Sequence, residues 1–208
     1  MLREGDHRIK NSLQLVTSMI RLQARRSQNP EVKHALVAAS TRVDAVAHMH
    51  DALQRSIGAG ADEVNLAVLI ETMCGSLQAM AGDERRIRVL VDAATTTAPL
   101  SIAQPIALAV NELVINALRH AFPDEREGIV HVSVALSGTD LCVVVADDGV
   151  GLPQDYSSRT GYGMNLLRMM VTQIGGVLTA KNDGGAHWTL VVPAVLQFVD
   201  TPNDHFAR

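Results

Sequence analysis

Three separated stretches of this chain carry residue types that could together hold a nucleotide: Asn111-Glu112-Leu113-Val114-Ile115-Asn116-Ala117, Asp147-Asp148-Gly149-Val150-Gly151, and Gly161-Tyr162-Gly163. Around the first, steps of three and four residues put Glu112, Asn116, Arg119 and His120 on one side of a helix. A carboxylate and a carboxamide oxygen suit Mg²⁺, which takes few protein ligands and completes its shell with water and phosphate. Arg119 and His120 would meet the negative phosphates. Asp147 ends an apolar strand, where its carboxylate needs a partner that the exocyclic amine of adenine would supply. Gly149 and Gly151 allow a tight turn under the base, and Gly161 and Gly163 open a helix whose free amides form a phosphate seat. The polar stretch 152–160 between the two glycine pairs reads as a lid. Alone, each piece is an amphipathic helix or an ordinary glycine-rich loop; in this order they describe one pocket for ATP.

At the other end of the chain stands Asp6-His7-Arg8-Ile9-Lys10-Asn11. On a helical wheel His7 falls roughly opposite the apolar stripe, in line with Gln14, Ser18, Arg21 and Arg25. A neutral imidazole is a competent nucleophile near pH 7 and accepts a phosphoryl group delivered in line. Asp6 or Glu4 could orient the ring or hold its proton, and Lys10 or Arg8 could attract the phosphate. A lone histidine in such a place is a solvated surface residue, and the accompanying nucleotide pattern is what makes His7 an acceptor.

The elements that must position these residues follow from the apolar periodicity. Ile9, Leu13, Val16 and Ile20, widened by Leu15, Met19 and Leu22, predict a helix over 2–27. Gln28-Asn29-Pro30 breaks it where a second helix can begin. That helix is expected to run to about residue 57, with a seam of Val32, Leu36, Ala39, Val43, Val46, His50 and Leu53. Together they predict an antiparallel hairpin, too small to be stable alone and completed by default as a four-helix bundle by a second copy, the alternative being a monomer in which the second domain covers the stripe. Residues 58–61 read as a linker. Beyond it the class is α+β: strands over 63–66, 86–91, 129–136, 141–146, 177–181 and 188–192, and helices over 67–80, 102–120 and 164–174. Pro105 is placed within the first turn of its helix. Helices on one side of a largely antiparallel sheet disfavour a dinucleotide fold, since the glycines do not form a strand-to-helix GxGxxG turn. The expected division is a hairpin over 1–57, a linker over 58–61, an ATP-binding domain over 62–197 and a loose tail over 198–208.

A net charge of -4 and a pI near 6.0 give no global basic field, which argues against nucleic acid as a partner. Cys74 and Cys142 match no metal or redox spacing and read as free thiols in core positions. No uninterrupted apolar run reaches membrane-spanning length and no signal peptide opens the chain, so the expected location is the cytoplasm. An acceptor so near the start leads one to expect a sensing domain upstream of it.

Taken together, these residues resemble the sensor histidine kinases of two-component signalling. His7 to Gln14 is similar to the HRxKNxLQ acceptor segment of the HisKA_2 subfamily, as are the arginines after Leu22 and His50-Asp51-Ala52-Leu53. The rest resembles the HATPase_c domain of the GHKL superfamily, with its N, G1 and G2 boxes at the stretches quoted above. The resemblance implies an α/β sandwich of the Bergerat type that binds ATP and Mg²⁺. Glu112 and Asn116 would stand on the metal side, with Glu112 also catalytic, and Arg119 and His120 near phosphate. Asp147 would meet adenine, and Gly149, Gly151, Gly161 and Gly163 would shape the lid. It further implies that His7, aided by Asp6, is phosphorylated and passes the group to an aspartate in the receiver domain of a response regulator, within a homodimer. The lid lacks an aromatic F box, and the tryptophan and glutamate motif of the related HWE subfamily is not evident. Two other readings share some of these features: a phosphotransfer adaptor that no longer uses ATP, and a GHKL ATPase or serine kinase in which His7 is incidental.

Overall fold

The structure is a computed structural model. It describes residues 2–30, the positions 32, 33, 35, 36, 39, 40, 43 and 47, and residues 63–81, 86–124, 126–153, 156 and 162–193. The expected linker over 58–61, the seam residues Val46, His50 and Leu53, Gly161 and the tail lie outside the described residues.

Helix α1 spans Leu2–Arg26. It ends where Asn29 takes over as the cap of the following segment: its Oδ1 accepts from the Val32 amide at 3.4 Å and its carbonyl from Lys33 at 3.0 Å. Pro30 then occupies a first helical position, where a missing N–H costs nothing. The described positions from 32 to 47 are helical. The buried line of α1 differs from the expected stripe. Thr17 and Ala24 are buried and Leu13 and Ile20 half-buried, whereas Val16 is 43% exposed and Leu15, Met19 and Leu22 more so. In the second helical segment Ser40 and Ala47 are buried, also seven residues apart, and Val32 is exposed. An apolar stripe wider than one contact face does not say which of its rows is covered. Here small residues take the covered row, and the bulky row stands in solvent.

The remaining elements form an α+β unit. Strands β1 (Glu63–Asn65) and β3 (Thr97–Pro99) make a two-stranded antiparallel sheet, with Val64 opposite Ala98. The main sheet contains β2 (Ile87–Ala93), β4 (Gly128–Ser137), β5 (Asp140–Asp147), β6 (Val177–Asn182) and β7 (Ala186–Val192), in the order β2-β4-β5-β7-β6. Only β2 and β4 run parallel among these neighbours. Period-two alternation sends Val130, Val132 and Val134 of β4, Leu141, Val143 and Val145 of β5, and Trp188, Leu190 and Val192 of β7 into one core. Helices α2 (Leu66–Ala81), α3 (Leu100–His120) and α4 (Tyr162–Gln173) contribute Leu69, Ile70 and Met73, then Ile106, Val110 and Val114, then Leu167 and Val171 to the same core. Each of these larger side chains contributes roughly 1.5–3 kcal/mol on burial. Gln78 of α2 caps the edge strand β2 as a ladder partner would. Its Nε2 donates to the Ile87 carbonyl at 2.9 Å and its Oε1 accepts from the Val89 amide at 2.6 Å.

Helix α3 begins at Leu100, two residues before its expected start, so Pro105 lies beyond the first turn. The carbonyl that loses its helical donor belongs to Ser101, which is exposed and can bond water instead. By length and hydropathy α3 could cross a membrane, but half of it is buried within the domain, as befits a core helix. Burial pushes the Cys74 thiol up to about 12, while Cys142 is half-buried. At pH 8 a thiol reagent is therefore expected to label Cys142 in the native chain and Cys74 only after denaturant is added. Rapid labelling of both in the native protein would contradict this packing.

Candidate nucleotide site

The core helix α3, the end of β5, the turn that follows it and the start of β7 enclose a cavity of about 740 Å³. That volume is within the usual range for small-molecule sites. The cavity takes the arc of α3 that runs from Glu112 through Asn116 and His120 to Ala121. Arg119, which shares the expected face, is exposed and falls just outside that arc. Asn111 points elsewhere: it is fully buried, and its amide finds no hydrogen-bond partner among the described residues.

Asp147 lines the same cavity from the end of β5. Its Oδ1 accepts from the Gly149 amide at 3.0 Å and from the Ala186 amide at 3.1 Å, so the carboxylate plane is held without a cation. The turn beyond it is fixed on both sides. Asp148 Oδ1 accepts from the Ile129 amide at 2.7 Å, and the Arg126 guanidinium donates to the Asp148 carbonyl at 2.9 Å. The Val150 amide donates to the Ala121 carbonyl at 2.9 Å, which ties the turn to the C-terminal end of α3. Gly149 is required by that tie, because a Cβ there would lie 2.3 Å from the Ala121 carbonyl oxygen. Gly151, with φ +78°, continues the cavity wall. Gly163 lies in the first turn of α4, where its neighbour Met164 reaches the cavity.

Several residues in the wall or directly behind it escape the sequence argument. Gly185 packs so closely on β5 that a Cβ would stand 1.8 Å from the Asp147 carbonyl oxygen. Trp188, opposite Val145 in the register of β5 and β7, forms part of the wall. Tyr156 meets it edge-on, with ring centroids 6.0 Å apart and planes at 82°, and donates its hydroxyl to the Ala180 carbonyl at 3.0 Å. The stretch without an F box thus contributes an aromatic wall residue. The parity of Trp188 on its strand was the available signal, since it shares the inward side with Ala186 and Leu190.

Asp6 and His7 lie in α1, and their side chains fall outside the described residues. Ser18, Arg21 and Arg25, which the helical wheel puts in line with His7, are exposed. Among the described residues, no cluster of three or more His, Cys, Asp or Glu could hold a metal ion by itself. Glu112 and Asn116 offer two hard oxygen donors one turn apart on the cavity side of α3. Such a pair fits a Mg²⁺ that keeps water and phosphate in the rest of its shell.

Two family models match the chain: one described as histidine kinase, HisKA_2, over residues 4–81, and one described as histidine kinase-like ATPase domain over residues 77–190. Among curated relatives, the sensor histidine kinase PdtaS of Mycobacterium tuberculosis is 37% identical over 198 residues, covering 92% of this chain and 39% of PdtaS. Blue-light-activated histidine kinase 2 of Erythrobacter litoralis is 32% identical over 188 residues, covering 88% of this chain and 54% of that protein. The chain therefore spans about two fifths to about half the length of these relatives. Among solved structures, the histidine kinase domain of the Erythrobacter litoralis EL346 blue-light-activated histidine kinase superposes with a TM-score of 0.66 at 29% identity, covering 92% of both chains.

Proposed function

The chain belongs to the histidine kinases, and on that premise we propose that it phosphorylates His7 from ATP and passes the group to an aspartate of a response regulator in two-component signalling. The observation that carries the proposal is the convergence of Glu112, Asn116 and His120 from α3 with Asp147 from β5 on one cavity of nucleotide size. Residues 62–197 act as the ATP-binding domain and residues 1–57 as the acceptor hairpin, joined by the linker over 58–61.

In the proposed reaction Asp147 accepts a hydrogen bond from the adenine amine through the oxygen that its two backbone amides leave over. Glu112 and Asn116 would hold Mg²⁺, which would supply charge neutralisation at the phosphates. His120, with Arg119 beside it, faces the phosphates. The unprotonated ring nitrogen of His7 attacks the γ-phosphorus, the bond from that phosphorus to the bridging oxygen breaks, and ADP leaves with the electron pair. Asp6 orients the imidazole and takes up charge on its other N–H. What the protein supplies is placement and charge compensation.

The exposed Leu15, Val16, Met19 and Leu22 of α1, together with the exposed Val32 of the second helical segment, support a homodimer through the hairpin, since bulky apolar residues exposed in this number call for a partner. A cytoplasmic location completes the reading. Incubation of the chain with γ-labelled ATP tests it. An acid-labile, base-stable adduct is the expected result; free phosphate alone, or an acid-stable phosphoserine, would overturn the proposal.

A further inference from the structure

We propose that Asn182 is a positioning residue for the nucleotide, acting through the main chain of Leu152 without touching the ligand; this rests on the nucleotide reading of the cavity. Asn182 is the exposed last residue of β6, the edge strand of the main sheet, and does not line the cavity. Its side chain nevertheless engages the cavity wall with both polar atoms. Oδ1 accepts from the Leu152 amide at 2.7 Å, and Nδ2 donates to the Leu152 carbonyl at 3.0 Å. The two bonds close a ring around one residue, copying the pairing of a further strand. They fix Leu152 both along the chain and in rotation.

The pinned residue follows directly on the turn that carries Asp147. Val150, Gly151, Leu152 and Pro153 are consecutive wall residues. Gly151 takes its left-handed conformation against the Asn182 carboxamide, with Oδ1 only 2.7 Å from where a Cβ would sit. The same edge strand provides a second tether two residues earlier, where the Ala180 carbonyl accepts from the Tyr156 hydroxyl. β6 thus anchors the wall on the side away from α3, and the bond between Val150 and Ala121 anchors it on the α3 side. With both anchors in place the wall is set before the nucleotide arrives, so binding does not bear the cost of ordering it.

The chemistry of the clasp is specific to a carboxamide, which presents one donor and one acceptor in a plane. An aspartate has the same shape but only accepts, so it would keep the bond from the Leu152 amide and set a carboxylate oxygen against the Leu152 carbonyl. Asn182→Ala and Asn182→Asp in the full chain test the idea, with ATP affinity measured by calorimetry and the initial rate of adduct formation at saturating ATP. With the clasp gone, the ordering of Leu152 falls on the binding step, which predicts about tenfold weaker ATP binding in Asn182→Ala. The saturating rate should stay within about twofold, as expected when only binding is affected. Asn182→Asp should be at least as impaired as Asn182→Ala despite its shape, and the melting temperature of both should stay close to that of the parent. Parental affinity in both variants, or a fall in melting temperature and saturating rate with affinity intact, overturns the inference. Asp147→Asn run alongside separates the two levels of the argument. If it weakens binding and the Asn182 variants do not, the clasp alone is refuted; if none of them alters ATP affinity, the nucleotide reading falls with it.

Discussion

No acid-labile adduct is expected from the His7→Gln chain incubated with labelled ATP, while its ATP affinity should equal that of the parent. Glutamine keeps the polarity of the position and a good helix propensity within α1, so the helix is retained. Its amide nitrogen, however, has no lone pair free to attack phosphorus. Removing a sole nucleophile leaves no alternative route, and the loss of adduct should be at least about 1000-fold. The nucleotide cavity is built from residues 112–188 and does not need the imidazole, which is why binding and transfer should separate cleanly. An adduct of parental yield in His7→Gln, or one lost only on replacing another residue, would remove His7 from its assigned role.

The second large effect is expected at Asp147. In Asp147→Asn the carbonyl oxygen can still accept from the Gly149 and Ala186 amides, so the turn and the start of β7 keep their geometry. The remaining atom changes from an acceptor to an amide donor and would face the adenine amine, donor against donor. An unmade bond of this kind in a desolvated site should weaken ATP binding on the order of a hundredfold. Calorimetric titration measures the effect, and circular dichroism with a melting curve checks that the domain is intact. Unchanged affinity would mean that Asp147 does not read the base.

The elements that carry these two residues were legible in the sequence because each is written in a local pattern. The repeated step of four from Glu112 to Asn116 to His120 places them along one arc of a helix, and the alternation over 129–146 delivers Asp147 to a strand end. What the sequence did not disclose depends on partners distant along the chain. Thr17 takes the buried row in place of Val16 because coverage is decided by neighbouring elements, on which periodicity is silent. Strand β3 is too short for any alternation to register, and it is defined only by its pairing with β1. Asn182 looks like an ordinary turn residue beside Asp183 and Gly184 until Leu152, 30 positions earlier, is brought against it. Asn111 reads as another polar position of the N box, and only its residue type concealed that its spacing puts it in step with Ala107, Val114 and Leu118 on the buried side of α3.

The tight approach of Gly185 to β5 bears on how this site can drift. At Gly128 an added Cβ would strike the ring of Phe122, an obstacle made of side chain, so a smaller residue at 122 could make room and the pair could change together. At Gly185 the obstacle is the peptide oxygen of position 147, which stays in place whatever amino acid occupies that position. The first glycine belongs to an exchangeable couple. The second has no suppressor, and the seam between the Asp147 strand and the last hairpin is closed to compensation from within the chain.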